Sequence, residues 1–309
     1  MNDVAIETRT TVRTTSQLAA PGGAAARRGR RRPTPPLSFR MLRGGLTWLG
    51  PRAPSLAVRI AEHVFRTPPA YRASPEEREA LVFADPLEVR FGETVLRGGS
   101  VGEGPAVLLV HGWGGRSTQL REMVGPLVDA GYRAVLFDGP GHGLTGGSQS
   151  SLPEMAAAIH AVIGAVGPVH AIIAHSMGAP SVALALERAA LPERLVFISP
   201  PCHMSGSTRR FARAFGMSDE LRERLERRLE GRFLRTLDEM DLRNTTLPVP
   251  LLVVHDRHDR EVPFEEGLRV ARSWPAAELV ETSGLGHVRI LRDPGVVSRV
   301  VEFATDGTV

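Results

Sequence analysis

The sequence contains no lysine, a single cysteine and few aromatic residues. All 38 basic residues of the 309-residue chain are therefore arginine, and the lone thiol, Cys202, excludes an intramolecular disulfide. Aromatic residues make up 5% of the chain against 42% hydrophobic residues in total, so aliphatic side chains must form most of any core. This composition is typical of a globular protein and excludes a disordered or disulfide-stapled one.

The absence of lysine changes the meaning of the high isoelectric point. A net charge of +4 and a pI near 10.3 would by themselves indicate a nucleic acid or an anionic membrane as partner. Few groups titrate between pH 7 and about 10 without lysine, so a small surplus of arginine raises the pI strongly. Residues 1–40 hold eight arginines against two acids, net +6, and residues 41–309 hold 30 against 32, net −2. We expect no specific nucleic acid partner.

Long uninterrupted apolar runs are also missing. The N-terminus has no apolar stretch of the kind found in secretory signals. Residues 155–186 carry no charge, but Gly164, Gly167, Pro168 and Pro180 interrupt them, so we interpret the run as a helix, a buried strand and a second helix. These features predict a cytoplasmic protein. The sequence does not indicate its oligomeric state.

The N-terminal part is predicted to lie outside the main domain. Residues 1–40 lack apolar periodicity, and we expect a disordered basic tail able to make weak contacts with a membrane surface or other anions. A translation start at Met41 is a second interpretation of this segment. Residues 41–84 are predicted to form a helical extension. Apolar residues recur at helical spacing from Leu42 to Val64, which favours packing against the rest of the protein over lying on a membrane.

From residue 85 onward, strand and helix patterns alternate. The predicted strands are 87–91, 94–101, 107–110, 134–137, 169–174, 195–198, 251–254 and 278–281. The predicted helices are one beginning near Ser74 and others at 118–130, 153–166, 177–190, 218–242, 264–273 and 294–303. Such alternation predicts an α/β fold with a mostly parallel central sheet and helices on both faces, spanning residues 85–201 and 247–309. Residues 202–246 interrupt it as a small helical cap insertion, with Ser218 as a helix N-cap.

The strongest chemical pattern surrounds Ser176. The segment 173–179, Ile-Ala-His-Ser-Met-Gly-Ala, lies where a buried strand gives way to a helix. A serine at such a turn projects its hydroxyl above the sheet, and small residues two positions to either side allow strand and helix to cross closely. Gly178 fills one of these positions, and Ala174 stands where glycine is usual. The alternative interpretation is a serine that only caps a helix.

A second loop follows an earlier strand and is rich in glycine. It reads His-Gly-Trp-Gly-Gly over residues 111–115, and such a loop can turn backbone N–H groups toward a ligand. If Ser176 is a nucleophile, the N–H groups of Met177 and Trp113 are the candidate donors to a developing oxyanion. The alternative is a simple strand-to-helix turn.

Two late strand ends supply an acid and a base. A nucleophilic hydroxyl needs a base, and the base needs a carboxylate to orient it. Asp256 and Asp259 both follow one strand, and His287 follows the next, which gives the chain order nucleophile, acid, base. No cluster with metal-ligand spacing stands out, and we expect neither metal nor cofactor.

Together these motifs resemble the α/β-hydrolase superfamily, in particular its cap-bearing serine esterase and peptidase-like branch, over roughly residues 85–305. The segment 138–143, Asp-Gly-Pro-Gly-His-Gly, matches as well. The resemblance implies Asp259 as the acid, because Val262-Pro263 completes the family's Asp-x-x-Val-Pro pattern, and leaves Asp256 in reserve. It also implies a structural role for His142, which lies in the segment 138–143. His175 is expected to pack, since neighbouring strand residues face opposite ways.

The resemblance implies a serine hydrolase that cleaves a carboxylic ester or thioester of a small-molecule acyl substrate through an acyl-enzyme. Ser176 would be the nucleophile, His287 the base and Asp259 the acid, with the oxyanion held by the N–H groups of Trp113 and Met177. A serine at this position excludes relatives that use an aspartate nucleophile. The alternatives are an acyltransferase or a peptidase or amidase of the same fold, and a catalytically silent binding protein or tail-anchored adaptor.

Overall fold

The computed structural model describes residues 14–18, 36–69 and 85–305. The strands are β1 (Thr14–Leu18), β2 (Asp85–Phe91), β3 (Thr94–Val101), β4 (Ala106–Val110), β5 (Arg133–Asp138), β6 (Val169–His175), β7 (Arg194–Ile198), β8 (Leu251–Asp256) and β9 (Ala277–Thr282). They form one sheet in the order β1-β9-β8-β7-β6-β4-β5-β3-β2. Strand β3 runs antiparallel to β2 and β5, and the other neighbours are parallel. The predicted α/β fold with a mostly parallel sheet is confirmed.

Helices connect the parallel strands, and two further helices precede β2. They are α1 (Leu37–Leu49), α2 (Pro54–Phe65), α3 (Val124–Asp129), α4 (Leu152–Val166), α5 (Gly178–Leu186), α6 (Met204–Phe215), α7 (Asp219–Phe233), α8 (Phe264–Ser273), α9 (Gly286–Arg289) and α10 (Pro294–Ala304). The Ser218 side chain caps α7 by accepting a hydrogen bond from the Leu221 N–H, as predicted. In the described ranges, no helix has both the length and the apolar character needed to cross a membrane.

The core consists of two apolar layers, one on each face of the sheet. Strand β4 is buried along its whole length and shows how the layers divide. Leu108 and Val110 belong to the layer that contains residues of α4, α5 and α8, whereas Val107 and Leu109 belong to the layer that contains residues of α3 and α10. Since both faces are covered, the parallel strands appear in the sequence as continuous apolar runs.

The N-terminal segment departs from expectation. Residues Thr14–Leu18 form β1, which pairs in parallel with β9 at the edge of the sheet, and α1 begins at Leu37. The prediction that residues 1–40 lack regular structure is therefore wrong for these two stretches. The unpaired backbone groups of an edge strand can recruit a short segment without an apolar pattern, and the threonines of β1 favour extended backbone. The rest of the predicted tail, and the helix predicted to begin near Ser74, lie outside the described residues.

The N-terminal helices and the insertion form a single helical cap. Helices α1 and α2 pack on α6 and α7 around a separate apolar cluster of small and aliphatic residues, namely Leu46, Ala57, Val58, Ala61, Leu221, Leu225 and Leu229. The buried Glu62 of α2 pairs with Arg228 and Arg232 of α7. Burial alone would raise the pKa of Glu62, but the hydrogen bonds from these arginines hold it below its usual value. Two segments that are distant in sequence thus cover the sheet together.

Candidate active site

The chain makes a strained turn at Ser176, between β6 and α5. Its φ is 51°, in the left-handed region that non-glycine residues seldom occupy. The Ser176 N–H donates to the Ile198 carbonyl at 2.8 Å, and its carbonyl accepts from the Ala179 N–H at 3.0 Å. A Cβ at Gly178 would lie 2.8 Å from the His111 carbonyl oxygen, so only glycine allows this close crossing. The turn therefore holds the serine in place through its backbone.

Three predicted residues meet at the carboxyl ends of the strands. Ser176 Oγ lies 3.0 Å from His287 Nε2, and His287 Nδ1 lies 2.6 Å from Asp259 Oδ2. The other carboxylate oxygen of Asp259 accepts hydrogen bonds from the Glu261 and Val262 N–H groups at 2.8 and 3.0 Å. All three predicted residues are largely buried.

This geometry fixes how the three groups share protons. A carboxylate beside Nδ1 favours the tautomer whose Nδ1–H donates to Asp259, which leaves Nε2 to accept the hydroxyl proton of Ser176. Burial alone would raise the pKa of Asp259, but the hydrogen bond and the charge of His287 keep it below its usual value. The site can therefore activate a hydroxyl for attack on an electrophile.

Asp256, the reserve candidate for the acid, has a different position. It is fully buried, and one carboxylate oxygen accepts from the His258 N–H at 2.8 Å. The other oxygen accepts from Thr282 Oγ1–H and the Leu285 N–H, both at 2.9 Å. Asp256 therefore ties β8 to the loop that leads into His287, and its carboxylate oxygens are occupied by other donors.

The two predicted oxyanion donors line the same cavity as Ser176. Neither the Trp113 N–H nor the Met177 N–H donates a hydrogen bond to another group within the described ranges. The glycine-rich loop lies directly against the turn at Ser176, because a Cβ at Gly112 would be 2.8 Å from Ser176 Cβ. Unpaired donors beside a nucleophile are suited to binding a developing negative charge.

Buried histidines support this arrangement, and sequence reasoning recognised only two of them. His175 Nε2–H donates to the His287 carbonyl at 2.9 Å, and burial lowers the pKa of His175 to about 3. His142 Nδ1–H donates to the Pro140 carbonyl at 2.8 Å, its Nε2 accepts from the Gly114 N–H at 3.1 Å, and burial lowers the pKa of His142 to about 4. Both are packing residues, as expected.

The motif analysis assigned no separate role to His111 or His255. His111 Nε2 accepts from the Gly139 N–H at 2.9 Å and so joins the glycine-rich loop to the neighbouring turn. His255 Nε2–H donates to the Val262 carbonyl at 3.0 Å, on the loop that carries Asp259. His111 directly follows β4 and His255 is the last but one residue of β8, but only the folded chain reveals the N–H or carbonyl group that each one meets.

His142 and His175 are buried and neutral, and they predict a loss of stability in mild acid. Their pKa values in the folded protein lie well below the usual 6.5, so below that pH the unfolded chain binds protons that the folded chain does not. The free energy of unfolding will therefore fall as the pH decreases from 6.5 toward 4, by about 1.4 kcal/mol per pH unit for each such histidine. Denaturant titrations at several pH values will measure this slope.

Replacing His142 with glutamine will make the slope shallower, because glutamine does not titrate. The exposed His160 provides a matched control, and His160→Gln will leave the slope as in the wild type. Equal slopes for the wild-type and His142→Gln proteins would contradict the assignment of His142 as a buried neutral group.

Ser176 and His287 open into a cavity of about 600 Å³ between the sheet and the helical cap. Its cap side is apolar and consists of Phe65, Met204, Phe211, Phe215, Leu229, Phe233, Leu237 and Met240. Two arginines also line it: Arg66, paired with Glu154 at 2.9 Å, and Arg210, whose Nη2 donates to Ser207 Oγ at 3.1 Å. Burial lowers the pKa of Arg210. The sequence did not identify these lining residues, because they come together only in the folded protein, where the cap packs over the sheet.

One other group of potential metal ligands occurs among the described residues. The ligand atoms of Cys202, His203 and Glu266 lie within 4.8 Å of one another. Glu266 accepts hydrogen bonds from the N–H groups of Cys202 and His203, both at 2.9 Å, and from the His203 ring. Burial raises the pKa of the Cys202 thiol to about 11, so the thiol stays protonated. These hydrogen bonds explain why the three residues lie together: they connect the start of the cap insertion to helix α8, which carries Glu266.

A mostly parallel sheet that carries a strained serine, a carboxylate and a histidine beyond the ends of β6, β8 and β9 defines a hydrolase of the α/β class. Residues 107–300 match the alpha/beta hydrolase family, and the chain belongs to that family. The comparison with curated proteins gave no match.

Solved structures of similar fold include an esterase from Pyrococcus furiosus, with a TM-score of 0.59 and 20% identity over 79% of this chain and 98% of the other. A second is a putative lipase from Acinetobacter baumannii AYE, with a TM-score of 0.58 and 17% identity over 77% and 98% of the two chains. A third is the thioesterase domain from the curacin biosynthetic pathway, with a TM-score of 0.52 and 22% identity over 72% and 98%. At these identities the similarity shows the shared fold.

Proposed function

We propose that this protein is a serine hydrolase that cleaves a carboxylic ester or thioester of a small-molecule substrate through an acyl-enzyme. The observation that carries the proposal is the continuous hydrogen-bonded line from Ser176 Oγ through the His287 ring to the Asp259 carboxylate. An activated hydroxyl beside unpaired backbone donors suits acyl transfer. The similar solved structures described as an esterase, a putative lipase and a thioesterase domain support the same reaction class.

The proposed reaction proceeds in two halves. His287 Nε2 removes the Ser176 hydroxyl proton as Oγ attacks the substrate carbonyl, and the N–H groups of Trp113 and Met177 hold the oxyanion. The protonated His287 then donates its proton to the leaving alcohol or thiol, which leaves the acyl group on Ser176. Water activated by His287 attacks this ester and releases the acid. Asp259 stays ionised throughout and orients the imidazole.

Covalent labelling tests the nucleophile directly. A fluorophosphonate probe should form one adduct on the protein, and that adduct should map to Ser176. Because the chain contains no lysine, trypsin cleaves only after arginine and releases the nucleophile in one peptide, residues 134–188. An adduct at another residue, or a failure to label the folded protein, would rule out the proposed function. Adding alcohol or amine acceptors to the acylated enzyme will distinguish transfer from hydrolysis.

The apolar cavity predicts a preference for longer acyl chains. Burial of a methylene group contributes about 0.8 kcal/mol, so kcat/KM for p-nitrophenyl esters will rise by up to about fourfold per added methylene until the cavity is filled. A panel of esters from acetyl upward will measure this trend.

The Leu229→Trp variant will reduce the cavity from the cap side and flatten the rise, with little effect on the acetyl ester. The exposed Leu191 lies away from the cavity, and Leu191→Trp will keep the wild-type trend. A wild-type kcat/KM that falls from acetyl onward would mean that the cavity does not receive the acyl chain.

A further inference from the structure

Helix α1 has two apolar faces, and only one of them packs against the protein. Its inner face contributes the buried Leu46 and the partly buried Leu42 to the cap cluster. On the other side, Leu37, Met41 and Trp48 are 69%, 69% and 59% exposed. These three residues are spaced by four and seven positions, so they form one stripe along the helix, which we call the α1 outer face. A contiguous exposed apolar stripe indicates an interaction site.

The helix is held so that the outer face points away from the cap. Arg43 Nη1 donates to the Ala214 carbonyl at 2.6 Å, at the C-terminal end of α6. The rings of Phe39 and Phe215 lie 4.8 Å apart, and Thr47 Oγ1, whose hydroxyl donates to the Arg43 carbonyl at 2.9 Å, also lies 3.3 Å from the Gly216 carbonyl oxygen. A cation at a helix C-terminus interacts favourably with the helix dipole. The orientation of α1 is thus fixed by contacts on its inner side.

Positive charge accompanies the outer face. The side chains of Arg40, on α1, and Arg59, on the neighbouring α2, are exposed and make no ion pair or hydrogen bond to other described residues. Arg52 lies over the Trp48 ring, with its guanidinium carbon 4.9 Å from the ring centre. The only acid between residues 36 and 69 is Glu62, which is buried and paired with α7. The sequence that leads into α1, residues 1–35, adds seven arginines against two acids, net +5.

We propose that the α1 outer face docks this protein on an anionic lipid bilayer. A 13-residue helix lying flat with a tryptophan and two aliphatic side chains in the headgroup region, flanked by arginines, has the features of an interfacial helix. Each arginine near an anionic surface strengthens binding by about fivefold. The positive charge of this region therefore favours an anionic bilayer over a neutral one. The proposal does not rest on the proposed function, because docking requires neither Ser176 nor a substrate.

Vesicle co-sedimentation of the full chain tests the proposal. Wild-type protein should bind vesicles of equimolar phosphatidylcholine and phosphatidylglycerol, and bind phosphatidylcholine alone or the mixed vesicles in high salt much more weakly. The double variant Met41→Gln/Trp48→Gln should lower the partition coefficient by about tenfold or more, because two apolar side chains no longer enter the bilayer. The control is Leu144→Gln/Leu191→Gln, two leucines outside the cap that are 48% and 43% exposed, which should bind as the wild type does.

Each alternative outcome overturns the proposal. Equal binding by the wild type and the α1 double variant would place any docking in another segment, such as the basic sequence 1–35. If the wild type fails to bind the anionic vesicles but forms a dimer that the α1 variant abolishes, the outer face is a contact between copies of this chain. Circular dichroism and thermal melts of both double variants establish that the comparison is between folded proteins. An unfolded α1 double variant is replaced by the single variant Trp48→Gln, which keeps a good helix former, adds no charge and removes the apolar ring.

Discussion

Replacing Ser176 with alanine will lower kcat for p-nitrophenyl ester hydrolysis by about a million-fold, to the level supported by binding and the oxyanion donors alone. The hydroxyl is the only part of this side chain that forms the hydrogen bond to His287, and the strained turn is defined by the backbone. The variant should therefore fold normally and lose only the nucleophile. Single-turnover and steady-state assays, together with a thermal melt, will separate the two effects.

Ser199 provides a matched control for this experiment. It also has a φ of 51°, is fully buried, and its hydroxyl has no hydrogen-bond partner in the described part of the chain. Ser199→Ala thus places alanine in the same strained backbone region without changing the hydrogen bonds between Ser176, His287 and Asp259. Activity should remain near that of the wild type. If Ser176→Ala retained comparable turnover, another group would have to be the nucleophile.

Asparagine at position 259 will reduce kcat by about ten-thousand-fold, with a much smaller change in KM. One oxygen of Asp259 accepts two backbone N–H groups, so the oxygen of an asparagine must stay on that side. Its NH₂ group then faces His287 Nδ1 and forces the ring proton onto Nε2. In that tautomer His287 cannot accept the Ser176 proton. A pre-steady-state measurement of acylation will report this loss directly.

The corresponding change at Asp256 separates the two candidate acids. Both oxygens of Asp256 already accept hydrogen bonds, from the His258 N–H on one side and from Thr282 and Leu285 on the other. An asparagine must direct its NH₂ group at one of these donors, which will cost about 1–3 kcal/mol of unfolding free energy. We expect Asp256→Asn to affect stability more than kcat. The reverse pattern, with the large kcat loss at Asp256, would exchange the two assignments.

The strand pattern made the sheet predictable because the parallel strands are buried on both faces. Every strand predicted from residue 87 onward is found, with ends within two residues. Helix ends were less predictable: the helix expected to reach residue 242 stops at Phe233, where Leu234 takes a φ of 53° without the glycine that usually marks such an end. Strand β1 escaped prediction because its pairing partner is the edge of β9, which lies far away in the sequence.

The site was predictable to the extent that its residues follow strand ends. Ser176, Asp259 and His287 each stand just beyond an apolar run, and parallel strands bring their carboxyl ends to one edge of the sheet. The choice between Asp259 and Asp256 depended on a resemblance, since both follow the same strand. The cavity wall could not be read from sequence, because residues such as Phe65 and Phe233 meet only through the tertiary packing of the cap.

The division of the cap between two segments has a consequence for synthesis of the chain. The contact between Glu62 and Arg228 joins residues 166 positions apart, and among the described residues the apolar cluster that α1 and α2 complete is the one that they share with α7. As the ribosome makes the chain, these two helices emerge long before α7 exists to cover them. Contacts between such distant segments also form late in folding, because the closure of a long loop costs entropy. The apolar inner sides of α1 and α2 therefore lack their α7 partner while residues 66–218 are being synthesised.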